Sequence, residues 1–402
     1  MSIHRPMREL QFRTATEADL ERVLVIHGSA FPDPRREPAR RRNFRANALG
    51  TIDDLWIALD GDVIVAHAFL FRLEAHFGGC AVPVAGIASV GVAPEARGQG
   101  VATALLEHLH VVARSRGVPI ALLWAFRQAF YARLGYGPVS TTGRLAFAPE
   151  AVPRHWGTNG ALAATAGARP ALEGLYERVA ERHTGWLRRP RALWDAKWLD
   201  ERNHVVFVGP AAAPRGYVLF AYEQAHAHAR TTILVEELVA EDAESKRALW
   251  GFLGAQAGQV AEIEVPIELG DPTPFALRDA DGRRFGDALV EHRIGELVAG
   301  PMVKVLDLDA ALAARGYLYD TKCRVAFGGR TLALSGSAGR VTVEPAPDAD
   351  VEIDEEAVAS VLFGGLTPSA AAALGLARGT GPALANADAL LGLPAFFAID
   401  PF

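Results

Sequence analysis

The 402-residue chain is half hydrophobic and 22% charged, a balance typical of folded globular protein, and it is too long for one ordinary domain. Its formal charge of -6 runs against nucleic-acid binding, and its two cysteines, Cys80 and Cys323, offer neither a disulfide framework nor metal-ligand spacing. The opening residues lack the apolar core of a secretory leader and no stretch reaches membrane-spanning length. A cytoplasmic protein without a membrane span is therefore expected.

In chain order, "TATEADLERVLVIHGSAF" begins with a threonine and a glutamate at capping-box spacing and continues with apolar residues at helical period. "DDLWIALDGDVIVAHAFLFRLEAHF" reads as two strands turned at Asp60, Gly61 and Asp62, and "VPVAGIASVGVA" as a central strand. Val101, Leu105, Leu106, Leu109, Val112 and Ala113 make one face of a long amphipathic helix. "VPIALLW" is the next buried strand, and "RQAFYARLGYG" a short helix stopped by Gly135 and Gly137.

"APEAVPRHWGTNGALAATAGARP" has the composition of a linker. Beyond it come two helices ("ALEGLYERVAERH", "RPRALWDAKWLDE"), three strands ("HVVFVG", "RGYVLFAYE", "TTILVEELVA"), a helix ("KRALWGFLGAQAG") and a strand ("AEIEVPIEL"). That order echoes the first part but lacks its glycine turn. From about residue 291, "MVKVLDLDAALAARGY", the paired strands "CRVAFGGRTLALSG" and "GRVTVEP", and alanine-rich helices suggest a smaller α+β unit. Three domains are expected, at 1–150, 151–290 and 291–402, in an α/β (α+β) protein.

The chemistry is concentrated in "VGVAPEARGQGVATALLEHL", residues 90 to 109. A strand that ends in a turn with Arg97, Gly98 and Gly100 and feeds a helix builds an anion site, because the first helical N–H groups are unpartnered and glycine lets a phosphate approach. The turn matches neither the phosphate-loop pattern nor GxGxxG, which disfavours ATP and NAD. It resembles the acyl-CoA signature of the Gcn5-related N-acetyltransferases (GNAT). Together with "YARLGYGP" at 131–138 and the layout of the whole chain, it is similar to the enhanced intracellular survival (Eis) branch of that superfamily.

The resemblance implies two tandem GNAT-like mixed-sheet domains, the second degenerate, followed by a sterol-carrier-protein-like α+β domain. It also implies a homohexamer that acetylates amines of aminoglycosides and other cationic small molecules from acetyl-CoA. Val90, Gly91 and Val92 would line the pantetheine arm. Arg97, Gly98, Gln99, Gly100, Val101, Ala102 and Thr103 would hold the diphosphate, and Phe126 and Arg127 would meet the acyl arm.

An attacking amine must lose a proton, and the departing thiolate is better expelled if it gains one. Tyr131 is the acid candidate, with helix packing as its plainer role and Tyr136 as its rival. His108 and His110 read as packed or solvated. The base implied by the family is the C-terminal carboxylate of Phe402, which burial beside an apolar wall would make more basic; its plainer role is to seal the third domain. Asp33, Ser89, Trp124 and Asp400 are the acceptor-pocket candidates. Six arginines between residues 35 and 45 read as a solvated loop or subunit contact and weigh against a polycationic acceptor. His226 and His228 could ligate a metal through alternate strand positions, but no third ligand is evident and no metal is expected. Two alternatives stay open: a protein lysine acetyltransferase, and a lipid-binding or scaffold protein built on the third domain.

Overall fold

The computed structural model describes residues 9–33, 37–158, 160–224, 231–278, 284–285, 289–290 and 294–402. The first lobe runs β1 (Leu10–Thr14), α1 (Leu20–Ala30), α2 (Glu37–Arg45), β2 (Leu55–Asp60), β3 (Val63–Phe77), β4 (Cys80–Val92), α3 (Val101–Ser115), β5 (Ile120–Leu123), α4 (Gln128–Ala132) and β6 (Gly137–Pro138). The second contains β7 (Thr141–Phe147), β8 (Leu162–Ala163), α5 (Arg169–Ala180), α6 (Arg191–Trp198), β9 (Asn203–Val208), β10 (Gly216–Glu223), β11 (Thr231–Ala240), α7 (Ala243–Gly254) and β12 (Val260–Ile267). A small pair, β13 (Arg284–Phe285) and β14 (Leu289–Val290), precedes β15 (Gly295–Ala299) and β16 (Met302–Val305). The third unit holds α8 (Leu308–Ala314), β17 (Lys322–Phe327), β18 (Arg330–Ser337), β19 (Arg340–Pro345), β20 (Val351–Ile353), α9 (Glu355–Leu362), α10 (Pro368–Ala373), β21 (Ala377–Gly379) and α11 (Gly381–Leu391).

Local chemistry explains most of these elements. Asp60 pairs with Val63 across the two-residue turn expected at Gly61 and Asp62. Leu105, Leu106, Leu109 and Ala113 form the buried stripe of α3. The capping box before α1 uses Thr16 and Asp19 rather than Thr14 and Glu17. Thr14 is spent on β1, and Asp19 is held by Arg13 at 2.7 Å, well below the usual carboxylate range because of that hydrogen bond.

Among the described residues, two sheets of seven strands and one of five result beside the β13–β14 pair. Their orders are β1-β2-β3-β4-β5-β16-β6, β15-β7-β12-β11-β10-β9-β8 and β19-β18-β17-β20-β21. Two strands cross the boundaries expected from composition. β7 lies before residue 150 yet pairs with β12 in the second sheet, and β16 lies after 291 yet pairs with β5 and β6 in the first. The glycine- and alanine-rich segment around 148–170 is not a free linker. Ala151 and Val152 are buried in the second core, and Gly157 sits so close to Gly251 that a Cβ on the latter would meet its carbonyl oxygen at 1.7 Å.

The third unit is locked by Arg315. Fully buried, it donates to the last carbonyls of α9 and α11, those of Leu362 and Leu391, where helix dipoles favour a cation. No helix among the described residues is long and apolar enough to cross a membrane.

Candidate active site

The site begins where two parallel strands part. β4 and β5 pair from Val84–Ile120 to Ile87–Leu123, after which β4 runs on to Val92 paired only with β3. Its register against β3 slips there, so that Ser89 and Val90 together oppose Ala68. Ser89 takes a positive φ of 52°, the mark of a bulge that turns the strand's free edge outward. The apolar run predicts the strand, whereas the bulge comes from the misfit between two strands.

Beyond Val92 the turn forms the expected nest. Gly98 and Gly100 have φ of 73° and 79°, and a Cβ on either would project into open space. Gly100 caps α3 with no side-chain hydrogen bond, leaving the first amides of the helix free for an anion. Arg97 donates to the Val92 carbonyl and to Ser29 at 3.1–3.2 Å, lacing the turn to the end of α1. A cleft of about 620 Å³ is lined here by Val90, Val92, Arg97, Gly98, Gly100, Val101, Ala102, Thr103, Phe126 and Arg127. Two expected members stand apart. Gln99 turns back to the Glu95 carbonyl at 2.8 Å, and Gly91 backs onto His67, whose ring leaves no room for a Cβ. Phe130 and Arg133 complete the wall and were not anticipated. Arg133 makes a third guanidinium beside Arg97 and Arg127, a setting suited to a polyphosphate.

A second cavity, about 790 Å³, adjoins this cleft through Ala30, Phe31, Val90 and Phe126. Tyr131 and Phe402 both line it, together with Asp33, Ser89 and Trp124. The structure thus gathers five of the expected residues from distant parts of the chain. Tyr131 is 2% exposed, and burial pushes its phenol up to about 12. Its ring packs edge-on to Phe126, Phe130 and Tyr136 at 5.0–6.1 Å. The rival Tyr136 is committed elsewhere, its hydroxyl 2.8 Å from the Nε2 of buried His110. His108 stacks on Phe12 at 4.6 Å.

Phe402 reaches the cavity by a path that no local signal announces. Phe396 and Phe397 bind backbone at Gly364 and Thr184, and Ser140 donates to the Phe396 carbonyl at 2.8 Å. Asp400 is then clamped. Arg189 donates to both of its carboxylate oxygens at 2.9 Å while also binding Glu237, and Lys197 stands 3.3 Å away. The Tyr217 hydroxyl donates to Glu237 at 2.7 Å, and Arg189 lies over the Tyr176 ring at 3.9 Å. Asp400 is 5% exposed and anchors the tail; it lines not the cavity shared by Tyr131 and Phe402 but an adjoining one that has Trp124, Leu193 and Pro401 in common with it. Pro401 and Phe402 follow, and the Phe402 ring lies over Gly86, where a Cβ would meet it at 3.1 Å.

Of the arginine-rich run, Arg40, Arg41, Arg42 and Arg45 lie in the helix α2, which packs on α1, rather than in a loop, and Arg35 and Arg36 lie outside the described residues. Arg41 pairs with Glu21, Arg45 with Glu17 at 2.8 Å, and buried Arg40 turns to the carbonyls of Phe31 and Asp33 on the cavity wall. His226 and His228 lie outside the described residues. Among the described residues no group of three or more His, Cys, Asp and Glu side chains could hold a metal ion.

Comparison with known proteins agrees with this geometry. Two family models described as acetyltransferase (GNAT) domains match residues 11–139 and 185–299, one in each of the first two lobes. The N-acetyltransferase Eis of Mycobacterium tuberculosis is 27% identical over 89% of this chain and 90% of its own. Eis1 from Mycobacterium abscessus superposes with a TM-score of 0.76 and 25% identity over 98% of this chain and 100% of its own. A GCN5-related N-acetyltransferase from Anabaena variabilis shares the fold, with a TM-score of 0.84 at 19% identity over 98% and 100% of the two chains. Acetyl-CoA is the donor that GNAT acetyltransferases use. With two GNAT-type lobes and an Eis-like layout along nearly all its length, the chain belongs to the GNAT superfamily and is an Eis-like N-acetyltransferase.

Proposed function

We propose that the protein transfers an acetyl group from acetyl-CoA to a primary amine of a small molecule by direct attack on the thioester, with Tyr131 as acid and the Phe402 carboxylate as base. One observation carries this reading: a phenol and the chain terminus, remote in sequence, line a single cavity that meets the nest at Val90 and Phe126. Bound acetyl-CoA supplies the activated acetyl thioester. The free amides at the start of α3 and the guanidinium groups of Arg97, Arg127 and Arg133 hold its phosphates, and the free edge of β4 at Val90 and Val92 receives the pantetheine. Phe402 accepts the proton of the incoming ammonium. Tyr131, protonated throughout the physiological range, gives one at the departing sulfur.

Asp33, Ser89 and Trp124 shape the acceptor space, and the Asp400 clamp fixes the tail that carries the base. The third unit, one five-stranded sheet with four helices, is assigned a sterol-carrier-like layout. A hexameric assembly is carried forward from the resemblance, and sedimentation of the purified protein checks it.

The test is a chain extended by a few residues beyond Phe402. It should bind acetyl-CoA and melt like the parent, yet lose most of its turnover with an amine panel that includes a lysine peptide. Full activity of the extended chain would retire the carboxylate from the mechanism.

A further inference from the structure

Resting on that reading, we infer that His110 is a positioning residue for the reaction: its hydrogen bond to Tyr136 holds the ring against which the acid Tyr131 is set. Among the described residues no group hydrogen-bonds the Tyr131 hydroxyl, and its direction is left to the edge-on rings of Phe126, Phe130 and Tyr136. Phe126 is 67% exposed and Phe130 half-buried, whereas Tyr136 is 3% exposed and is the fixed member of the three. The backbone of Tyr131 is tied to the same residue. Its carbonyl accepts from the Tyr136 N–H at 3.2 Å as well as from that of Leu134 at 2.9 Å, closing α4 at Gly135.

His110 reaches Tyr136 from α3, the helix whose start forms the nest, and its Nε2 stands 2.8 Å from the Tyr136 hydroxyl. The bond therefore ties the phenol that meets the sulfur to the element that grips the diphosphate. His110 is the one polar member of the buried side of α3, among Leu105, Leu106, Leu109 and Ala113. Two apolar side chains would pack there about as stably, because a buried polar pair gains little net energy. What the pair adds is a fixed ring angle. Burial, with Lys304 and Arg114 close by, holds His110 down at about 3, and burial raises Tyr136 well above its ordinary value, so both stay neutral at physiological pH. Lys304 also donates to the Leu134 carbonyl, and Ser360 of α9 donates to that of Pro138 at 2.7 Å. The chain on either side of Tyr136 is thus pinned as well. Such precision matters because a reacting group displaced by about 1 Å can lose about 10²-fold in rate.

The experiment follows thiol release from acetyl-CoA by the full chain, with whichever of n-hexylamine, spermidine, kanamycin and a lysine peptide the parent turns over fastest. Tyr136→Phe keeps the ring and removes the hydroxyl; it should lower kcat about tenfold and leave KM for acetyl-CoA within about twofold. Combining it with His110→Leu leaves no buried polar group unpaired, so the melting temperature should return close to the parent's while kcat stays low. In a Tyr131→Phe chain, Tyr136→Phe should change the residual kcat by less than about twofold, because no acid remains to be aimed. Recovery of kcat together with stability, or the same tenfold loss in the Tyr131→Phe chain, would reduce the pair to packing and overturn the inference. Parental kcat in the Tyr136→Phe chain would overturn it too. Undiminished kcat in Tyr131→Phe alone, or no thiol release by the parent with any of the amines, would instead overturn the reading of the site on which the inference rests.

Discussion

The first two lobes have the same plan and opposite fates. In each, a long strand pairs in parallel with one neighbour over a few residues and then runs on toward a helix paired only with its antiparallel neighbour. β4 parts from β5 after Ile87, and β11 parts from β12 after Leu234. Each long strand carries a bulge against its antiparallel partner, at Ser89 in one and at Glu236 in the other. The difference lies at the helix start. α3 begins at a left-handed glycine with open space before it, whereas α7 begins at Asp242, whose carboxylate accepts from Ser245 N–H at 2.9 Å and pairs with Arg215. The second lobe has filled its own anion site with a fixed negative charge, so a phosphate would meet a carboxylate where the first lobe offers free amides. Its splayed strand does other work. Glu237, on β11 beyond its pairing with β12, binds Arg189 and so helps hold Asp400 and the tail that enters the first lobe. One lobe leaves its helix start open, and the other holds the tail that lines the first lobe's cavity.

Four single substitutions would break or sharpen that contrast. Arg189→Met should have the largest effect, about 3–5 kcal/mol of stability, because Glu237 and Asp400 would be left buried with only Lys197 between them. Adding Glu237→Gln and Asp400→Asn should recover much of the loss in melting temperature, and an undiminished melting temperature in the single variant would deny the clamp. Tyr131→Phe should lower kcat by about 10²-fold with acetyl-CoA affinity kept. Because the parent phenol holds its proton up to about 12, its kcat should rise as the amine deprotonates and should not fall below about pH 10. A fall in kcat above an apparent value near 8 would assign the donated proton to another group.

Gly100→Asp would copy the second lobe's helix start into the first. Aspartate tolerates the left-handed conformation and caps helices, so the fold should survive while acetyl-CoA affinity drops about tenfold through repulsion at the nest. Calorimetric titration reads this directly, and parental affinity would place the diphosphate elsewhere. Asp242→Ala should have the smallest effect, about 1 kcal/mol of stability for a lost cap, with no acetyl-CoA site gained. A second binding event in titration would show that the carboxylate alone had closed the lobe.

Much of the first lobe was legible residue by residue. The strand, turn and helix around Arg97, Gly98 and Gly100 depend on backbone freedom and helix ends, which are properties of neighbours in sequence. Phe69 and Phe71 alternate along β3, so the rings this strand lends to the cavity wall could have been anticipated from period two alone. The Thr14 and Glu17 spacing misled because Thr16 and Asp19 offer the same spacing two residues later, with Arg13 to hold it. The expected linker misled because small residues can mark close packing as well as freedom, and only Gly251 against Gly157 tells the two apart.

By itself, then, the order of residues determined the glycine turn at the start of α3, the short helix that carries Tyr131, and the repeat of the GNAT plan, since each rests on the local pattern of neighbours in sequence. Only the tertiary structure decided that β16 returns to the first sheet, that Asp400 is a clamp, and that Phe402 meets Tyr131 across one cavity. Those pairings join residues far apart in the chain, through buried charge and ring packing that leave no periodicity to read. Their partners become neighbours only when three units fold against one another.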